Sequence, residues 1–542
     1  MRRWNGWIDE GAEPPAVASG AVRLLEAEIG PGAPPRDATL GEVVASLGAS
    51  ALADEAGLSI DPVDRIRHAR GQSLPDWIAL RSGRLGRVPD AIVRPATSGD
   101  VRGILELGRR RGAALIPFGG GTSVVGGVMP DLDDDRPSIV VATELLTGLH
   151  GLDETSGLAT FGAGTLGPDV EAALGPHGLT LGHLPQSWER STIGGWVATR
   201  SAGQQSLGFG RIEELFAGGR LEAPAGSMVL PPHPASAAGP DLRQLVLGSE
   251  GRFGILTETI VRVGPKPRVE AVPSWVLGEW PRAVDAARDI ARARLPLSMV
   301  RLSTPIETAT TLALAGEGRG VRALRAYLRF RRVGPEPCLL LVAASGDEKL
   351  VELAVREVGS IVRRHGGTGI GGSPGRQWLR SRFQVPDLRD ALWELGYAID
   401  TLETAVDWSR LPDLAADLGR TLRHGLDDVG ERVHAFSHLS HVYPSGSSLY
   451  ATYVFRLAAD PDETLDRWRR LKDAASEVIV RHGGTISHQH GVGRDHRRWL
   501  AGEKGELGLG VLRDVSARLD PDRMMNPGVL LTDARDERSG RR

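Results

Sequence analysis

The chain has 542 residues, 41% of them hydrophobic, enough to bury a large core and to divide into two or three domains. Its formal net charge of -3 gives no reason to expect nucleic acid, and its one cysteine, Cys338, excludes an internal disulfide or a cysteine-built metal site. No run of roughly 18 apolar residues is present to span a membrane, and the N-terminus lacks a signal peptide's apolar core. A reduced, cytoplasmic setting is expected, with peripheral contact at a membrane surface left open.

Residues 1–85 read as an N-terminal extension with short helices around 21–28 and 40–47. Its Trp4-Asn5-Gly6-Trp7 holds two indoles worth burying. A first domain is expected over 86–265. There Ala91-Ile92-Val93-Arg94 reads as a buried strand. A helix follows, capped by Ser98 or Asp100, with Val101, Ile104 and Leu105 inward and Gly112 as its stop. A second strand, Ala114-Leu115-Ile116, runs into Pro117-Phe118-Gly119-Gly120-Gly121-Thr122-Ser123. A β-α-β unit that delivers a glycine loop suits a phosphate or pyrophosphate, because Cβ-free residues let backbone N–H groups close on an anion. Neither G-x-G-x-x-G opening a helix nor the Gly-Lys-Ser/Thr of a P-loop is present.

Two further clusters follow. Gln186-Ser187-Trp188-Glu189-Arg190-Ser191-Thr192 precedes a Gly-Gly pair and Thr199-Arg200-Ser201-Ala202, small and hydroxylated residues suited to a backbone lying along a flat ligand. Glu250-Gly251-Arg252-Phe253-Gly254-Ile255-Leu256 is the third.

The cap region, 266–460, and the C-terminal part, 461–542, contain a partial repeat. A helix over 348–364 ends in Arg364-His365-Gly366-Gly367-Thr368, and one over 461–481 ends in Arg481-His482-Gly483-Gly484-Thr485. Duplicated strand-helix-strand units fit an antiparallel sheet with helices on one face. The loops that follow differ. The first, Gly371-Gly372-Ser373-Pro374-Gly375, formally matches G-x-S-x-G, but Pro374 spoils a nucleophile elbow. The second, Ile486-Ser487-His488-Gln489-His490-Gly491-Val492-Gly493-Arg494, holds titratable groups in a glycine frame.

Together these motifs resemble the FAD-binding fold of the vanillyl-alcohol oxidase type and, within it, the alkyldihydroxyacetonephosphate synthase family. The resemblance implies an α+β chain: a two-subdomain FAD-binding domain plus a cap/substrate domain whose antiparallel sheet is flanked by helices. It also implies exchange of an acyl group of acyl-dihydroxyacetone phosphate for a fatty alcohol in ether-lipid synthesis. All three clusters would then hold FAD, and non-covalently, since no histidine adjoins the glycine loop.

The resemblance also assigns candidate roles. Tyr450 lies in an alternating strand that turns Leu449, Ala451, Tyr453 and Phe455 to one face and Tyr450 with Thr452 to the other. It matches the family's acid/base. A phenol needs positive charge or donors nearby to act as a base, and His488 and His490 are candidates for that help. The family has three consecutive histidines before Gly-Val-Gly-Lys; here Gln489 and Arg494 depart from the pattern. Arg389 matches the arginine for the substrate phosphate, with Glu403-Thr404 in register; Arg301 matches a supporting arginine and Asn526 a position important for activity. His488 and His490 also have the spacing of two metal ligands, but without an adjacent acidic residue no metal is expected. His434, His438 and His441 read as structural. The same architecture serves FAD-dependent D-2-hydroxy acid dehydrogenases, the alternative reading; a flavoprotein without catalysis is the third. The oligomeric state is left open, a homodimer included.

Overall fold

The computed structural model describes residues 1–532 except 317. Its first sheet is parallel and three-stranded, with Ser138–Ala142 between Ala91–Val93 and Ala114–Phe118. The helix Ser98–Arg111 buries Val101, Ile104 and Leu105, as its 3.6-residue period dictates, and stops at a left-handed Gly112. Its cap is neither Ser98 nor Asp100 but Thr97. The Thr97 hydroxyl accepts from the Asp100 N–H, and the Asp100 carboxylate accepts from the Thr97 N–H, a reciprocal capping box.

A five-stranded antiparallel sheet follows, in the order Leu149–Asp153, Leu158–Gly162, Ile255–Arg262, Phe216–Ala223, Gly226–Leu230. Ahead of both sheets, the N-terminal region forms helices Ser19–Ile29, Leu40–Ser46, Pro62–Arg67 and Leu74–Ser82. The last two were not foreseen, although each has a capping side chain, Asp61 or Ser73, and a proline in its first turn. Trp7 is buried. The backbone N–H groups of Trp7 and Ile8 donate to the Asp390 carboxylate at 2.9 and 3.2 Å, and Arg81 pairs with the same group. The first turn of the chain is thereby fastened to the cap.

The cap is one eight-stranded antiparallel sheet. Thr368–Gly371, Ser274–Leu277, Cys338–Gly346, Met299–Ser303, His434–Leu439, Gly446–Arg456 and Tyr397–Asp407 lie side by side, and Val269–Ala271 pairs with Cys338–Gly346. Helices Trp280–Arg292, Glu348–Arg364, Leu411–His424 and Pro461–Arg481 cover one face. Their Ala287, Val358, Leu418 and Leu471 share a core with Leu402, Leu449, Ala451, Tyr453 and Phe455, so the expected alternation holds. Cys338 is fully buried in that core. The repeat is visible in detail: His365 ends one helix and meets Asp289 at 2.9 Å, while His482 ends the other and meets Asp417 at 2.8 Å.

Each copy ends by adding backbone to an edge of the sheet. In the first, Thr368–Gly371 forms a regular strand against Ser274–Leu277. In the second, residues 485–488 run along Tyr397–Asp407, with Thr485 N–H donating to Ala405 O (3.1 Å) and His488 N–H to Glu403 O (3.0 Å), but no strand completes.

Candidate functional site

The uncovered face of the cap sheet looks toward the glycine loop. Gly119, Gly120, Gly121, Thr122 and Ser123 line a cavity with Gln186, Ser187, Ser191, Thr192, Thr199 and Ser201, and its cap side carries Arg389, Tyr450, Gln489 and His490. An adjoining cavity is closed by Pro117, Phe118, Glu250, Gly251, Gly254, Ile255 and Leu256.

Four carbonyls of the glycine-loop segment are engaged. Phe118 O accepts from Thr143 N–H, Gly120 O and Gly121 O each accept from Arg2 at 3.2 Å, and Ser123 O accepts from Gln72 N–H at 2.6 Å. Among the described residues no acceptor takes the N–H of Gly119 through Ser123. Five unspent amides in one cavity wall suit an anionic pyrophosphate. A Cβ on Gly119 would stand 2.5 Å from Thr192 Oγ1, and one on Gly120 would overlap the Arg190 carbonyl. The loop can meet the 190–192 turn only as glycine.

Not every residue of the expected cofactor set faces these cavities. The Trp188 ring stacks on Phe383 at 5.2 Å, Arg190 covers Trp7 and pairs with Asp9, and Arg200 pairs with Glu213. Arg252 donates to Met525 O, Phe253 packs with Leu500 and Val529, Ala202 is buried outside both walls, and Glu189 is exposed. Successive side chains of a turn diverge, so a contiguous segment cannot place all of them on one ligand.

Strand register assembles the cap side. Cα pairing sets His438 opposite Tyr450 and Tyr450 opposite Glu403, so three strands present one polar row on the face away from the helices. The Tyr450 ring stacks on His438 (centroids 5.0 Å) and meets His490 edge-on (5.9 Å). Arg301 approaches His438 Nε2 at 2.8 Å and Glu307 at 2.8 Å. Glu403 is the hub: its carboxylate accepts from Ser440 Oγ (2.5 Å) and from Gln489 Nε2, and lies 3.3 Å from His488 Nδ1 and 3.9 Å from His441 Nε2. Behind it, His488 Nε2 meets Tyr443 OH at 2.7 Å and Arg211 at 2.8 Å.

Burial is the dominant charge effect. It pushes the Tyr450 phenol up to about 12, with Glu403 and Asp400 adding to the rise. It also pushes the His490 imidazole down, and that of His441 down to about 3. At Glu403 burial opposes the charge, but His488 and His441 outweigh it and hold the carboxyl well below its usual range. Near neutral pH the row is therefore a carboxylate, neutral His441 and His490, and a phenol that keeps its proton. This corrects the expectation that neighbours would lower the phenol's pKa: Arg301 acts in that direction, but desolvation and the two carboxylates prevail.

Arg389 is a cavity wall, stacked over Trp77 at 4.7 Å, with Nη1 donating to Gln72 O at 2.5 Å and a buried Nη2 that meets no hydrogen-bond partner among the described residues. Arg301 and Asn526 are not walls. Arg301 is engaged by Glu307 and His438. Asn526, at φ +38°, donates through Nδ2 to Gly127 O and Glu250 O and ties the C-terminal segment to two cofactor loops.

The reading of the strand histidines as structural is corrected for two of them: His438 joins the Tyr450 row and His441 the Glu403 cluster. Only His434, 3.0 Å from Thr310 Oγ1, lies apart from the site. Glu403, Arg211 and Tyr443 were missed as site residues. Ligand atoms of Glu403, His441 and His488 lie within 4.8 Å of one another, close enough for a divalent ion. Arg211 and Tyr443 both sit at His488 Nε2, while Nδ1 faces Glu403 at 3.3 Å with no hydrogen bond among the described residues.

Residues 89–230 match a family described as an FAD binding domain, and residues 266–530 match the C-terminal domain of FAD linked oxidases. The alkyldihydroxyacetonephosphate synthase of Dictyostelium discoideum is 30% identical over 503 residues, which cover 92% of this chain and 82% of that one. The Trypanosoma brucei brucei protein of the same name is 29% identical, covering 88% and 78%. A solved structure of alkyldihydroxyacetonephosphate synthase superposes with a TM-score of 0.77 at 26% identity, covering 97% of this chain and 98% of that one.

Proposed function

This chain belongs to the alkyldihydroxyacetonephosphate synthase family of FAD-linked enzymes, and from that premise we propose that it exchanges the acyl group of an acyl-dihydroxyacetone phosphate for a fatty alcohol. One observation carries the reading at the site. Arg389, whose buried Nη2 has no hydrogen-bond partner among the described residues, lines the cavity that also holds Tyr450, His490 and the open glycine-loop amides.

The glycine loop, the 186–192 turn and the Glu250–Leu256 turn would hold FAD. When bound, FAD supplies an electron sink that lets one C–O bond break and another form at the same carbon without net oxidation. The absence of a histidine from the glycine loop and the burial of Cys338 in the cap core support non-covalent binding. Arg389 binds the phosphate, a task that suits a planar guanidinium. His490, neutral, accepts the proton beside the substrate ketone. Tyr450, protonated, donates to the oxygen of the departing acyl group. Glu403, through Gln489 and His488, fixes the loop that carries His490. Arg301 acts on Tyr450 through His438, and Asn526 acts on the cofactor loops.

The test is anaerobic incubation of purified holoenzyme with palmitoyl-dihydroxyacetone phosphate and hexadecanol. The expected result is one palmitate released per ether formed with the flavin oxidised at the end, and at least about 100-fold loss in Tyr450→Phe. The convergence of Glu403, His441 and His488 favours the dehydrogenase as second reading. Full flavin reduction by a D-2-hydroxy acid, with silence toward the phosphate ester, would establish it instead.

A further inference from the structure

The glycine loop draws a cation from a distant part of the sequence. Its own residues 117–127 contain no charged side chain. Arg2 lies 118 residues from Gly120, yet its Nη1 donates to Gly120 O and to Gly121 O, each at 3.2 Å. An antiparallel turn carries it there. The backbones of Arg2 and Asp9 form a β-bridge, Arg3 N–H donates to Ile8 O at 2.9 Å, and Glu10 N–H donates to Met1 O at 2.9 Å. Arg67 Nη1 fixes the Arg2 carbonyl at 2.7 Å, and Asp390 of the cap holds the tip of the turn through Trp7 and Ile8. The side chain is thus delivered to the loop by a segment fastened on both sides.

Three guanidinium groups meet here, and Arg2 is the one without a counter-ion. Arg67 pairs with Glu10 at 2.7 Å and Arg190 with Asp9 at 3.3 Å, while Arg2 meets no carboxylate among the described residues. Desolvation, with Arg190 and Arg67 close by, lowers its guanidinium to about 10, so it remains charged near neutral pH. A desolvated cation with no partner costs free energy until an anion arrives. The peptide geometry shows what such an anion would meet. A trans peptide points its C=O and its N–H in opposite directions. Holding Gly120 O and Gly121 O therefore turns the N–H groups of Gly121 and Thr122 away from Arg2, and these are two of the unspent amides of the cavity wall. A guanidinium on the carbonyl also polarises the peptide and strengthens the hydrogen bond its N–H can give.

We propose that Arg2 is a positioning residue for the FAD pyrophosphate, setting the Gly121 and Thr122 amides and supplying the positive charge that the glycine loop lacks. The inference rests on the cofactor assignment and not on acyl exchange. The pyrophosphate is the anion concerned because both engaged carbonyls belong to the glycine loop, whereas the substrate phosphate is left to Arg389 on the cap side of the cavity.

The test compares the full-length parent with Arg2→Met, which keeps an unbranched stem, and with Arg2→Lys, which keeps the charge. Release of FAD from diluted holoenzyme, and its rebinding by the apoprotein, are followed by flavin fluorescence. The FAD dissociation constant should rise about 10- to 100-fold in Arg2→Met, and Arg2→Lys should recover part of the loss. Riboflavin, which carries no phosphate, should bind parent and variant alike. The two apoproteins should melt together, whereas the rise in melting temperature that FAD gives should be smaller in Arg2→Met. An unchanged FAD dissociation constant, an equal loss toward riboflavin, or a melting temperature lowered equally with and without FAD would each overturn the proposal. A parent that binds no FAD would overturn the cofactor assignment together with it. Binding requires no turnover, so FAD weakened by Arg2→Met in a protein that exchanges no acyl group would support the proposal and refute the synthase reading alone.

Discussion

Replacing Arg389 by methionine keeps an unbranched stem against Trp77 and removes the guanidinium. In the parent, Nη1 is engaged by Gln72 O and Nη2 has no hydrogen-bond partner among the described residues; on the proposed reading it binds the phosphate. The loss is therefore one charge-assisted hydrogen bond plus the attraction of a buried cation for a phosphate, together about 2–4 kcal/mol. At 1.36 kcal/mol per tenfold, kcat/KM for acyl-dihydroxyacetone phosphate should fall roughly 30- to 900-fold. The fatty alcohol, which has no phosphate, should keep its KM within about threefold. Arg389→Lys restores charge without the planar fork, and should recover part of the loss. Steady-state kinetics with each substrate varied in turn, alongside melting curves, separates binding from folding. Equal loss toward both substrates, or inhibition by inorganic phosphate undiminished in Arg389→Met, would refute the assignment.

Gly120→Ala places a Cβ against the Arg190 carbonyl, so the 190–192 turn must move; the variant should purify with less than about a tenth of the parental flavin, read from the 450 to 280 nm absorbance ratio. Asp390→Asn removes the charge that Arg81 pairs with and disturbs the acceptor for Trp7 N–H and Ile8 N–H; it should destabilise the fold by about 3 kcal/mol, measured by urea denaturation. Burial pushes the Glu250 carboxyl up to about 7, and the N–H groups of Val492 and Gly493 draw it only partly back. Its folded-state pKa lies above its unfolded value. Its contribution to stability is therefore complete below about 4.5 and is lost as pH rises through about 7. Melting temperatures of the parent and Glu250→Gln should diverge with a pH slope across that window, and a pH-independent difference would contradict the assignment.

The residues that could be read from sequence are those whose signal is local. Alternation alone separated Tyr450 from the core-facing Leu449, Ala451, Tyr453 and Phe455, and two matching helix ends disclosed the cap repeat. Thr97 escaped because Ser98, Thr97 and Asp100 are all competent caps, and only the hydrogen bonds choose among them. The centre of the site was harder to read because register creates it. Glu403 lies 47 residues before Tyr450 and 85 before His488, and nothing local aligns the strands that bring them together. What marks it is burial, which only the folded strand reveals. Tyr397–Asp407 is an 11-residue strand in which Glu403 is 3% exposed, and a buried carboxylate on a sheet demands partners. Following that demand leads to His441, His488 and Gln489.

The duplicated cap explains why the polar row sits on one side of the cap sheet. Both copies bring a helix back to a sheet edge through the same His-Gly-Gly-Thr turn, so both arrive with the same direction and reach. The first copy satisfies its backbone with a regular strand against Ser274–Leu277. The second makes two edge hydrogen bonds, at Thr485 and His488, and then leaves the edge. From there Gln489 binds Glu403, His490 reaches Tyr450, and the next residues bind Glu250 of the cofactor domain. Completing the strand would engage those amides in the sheet and break the link to Glu250. The irregular edge is therefore what allows one loop to span the cap, the Tyr450 row and the flavin domain.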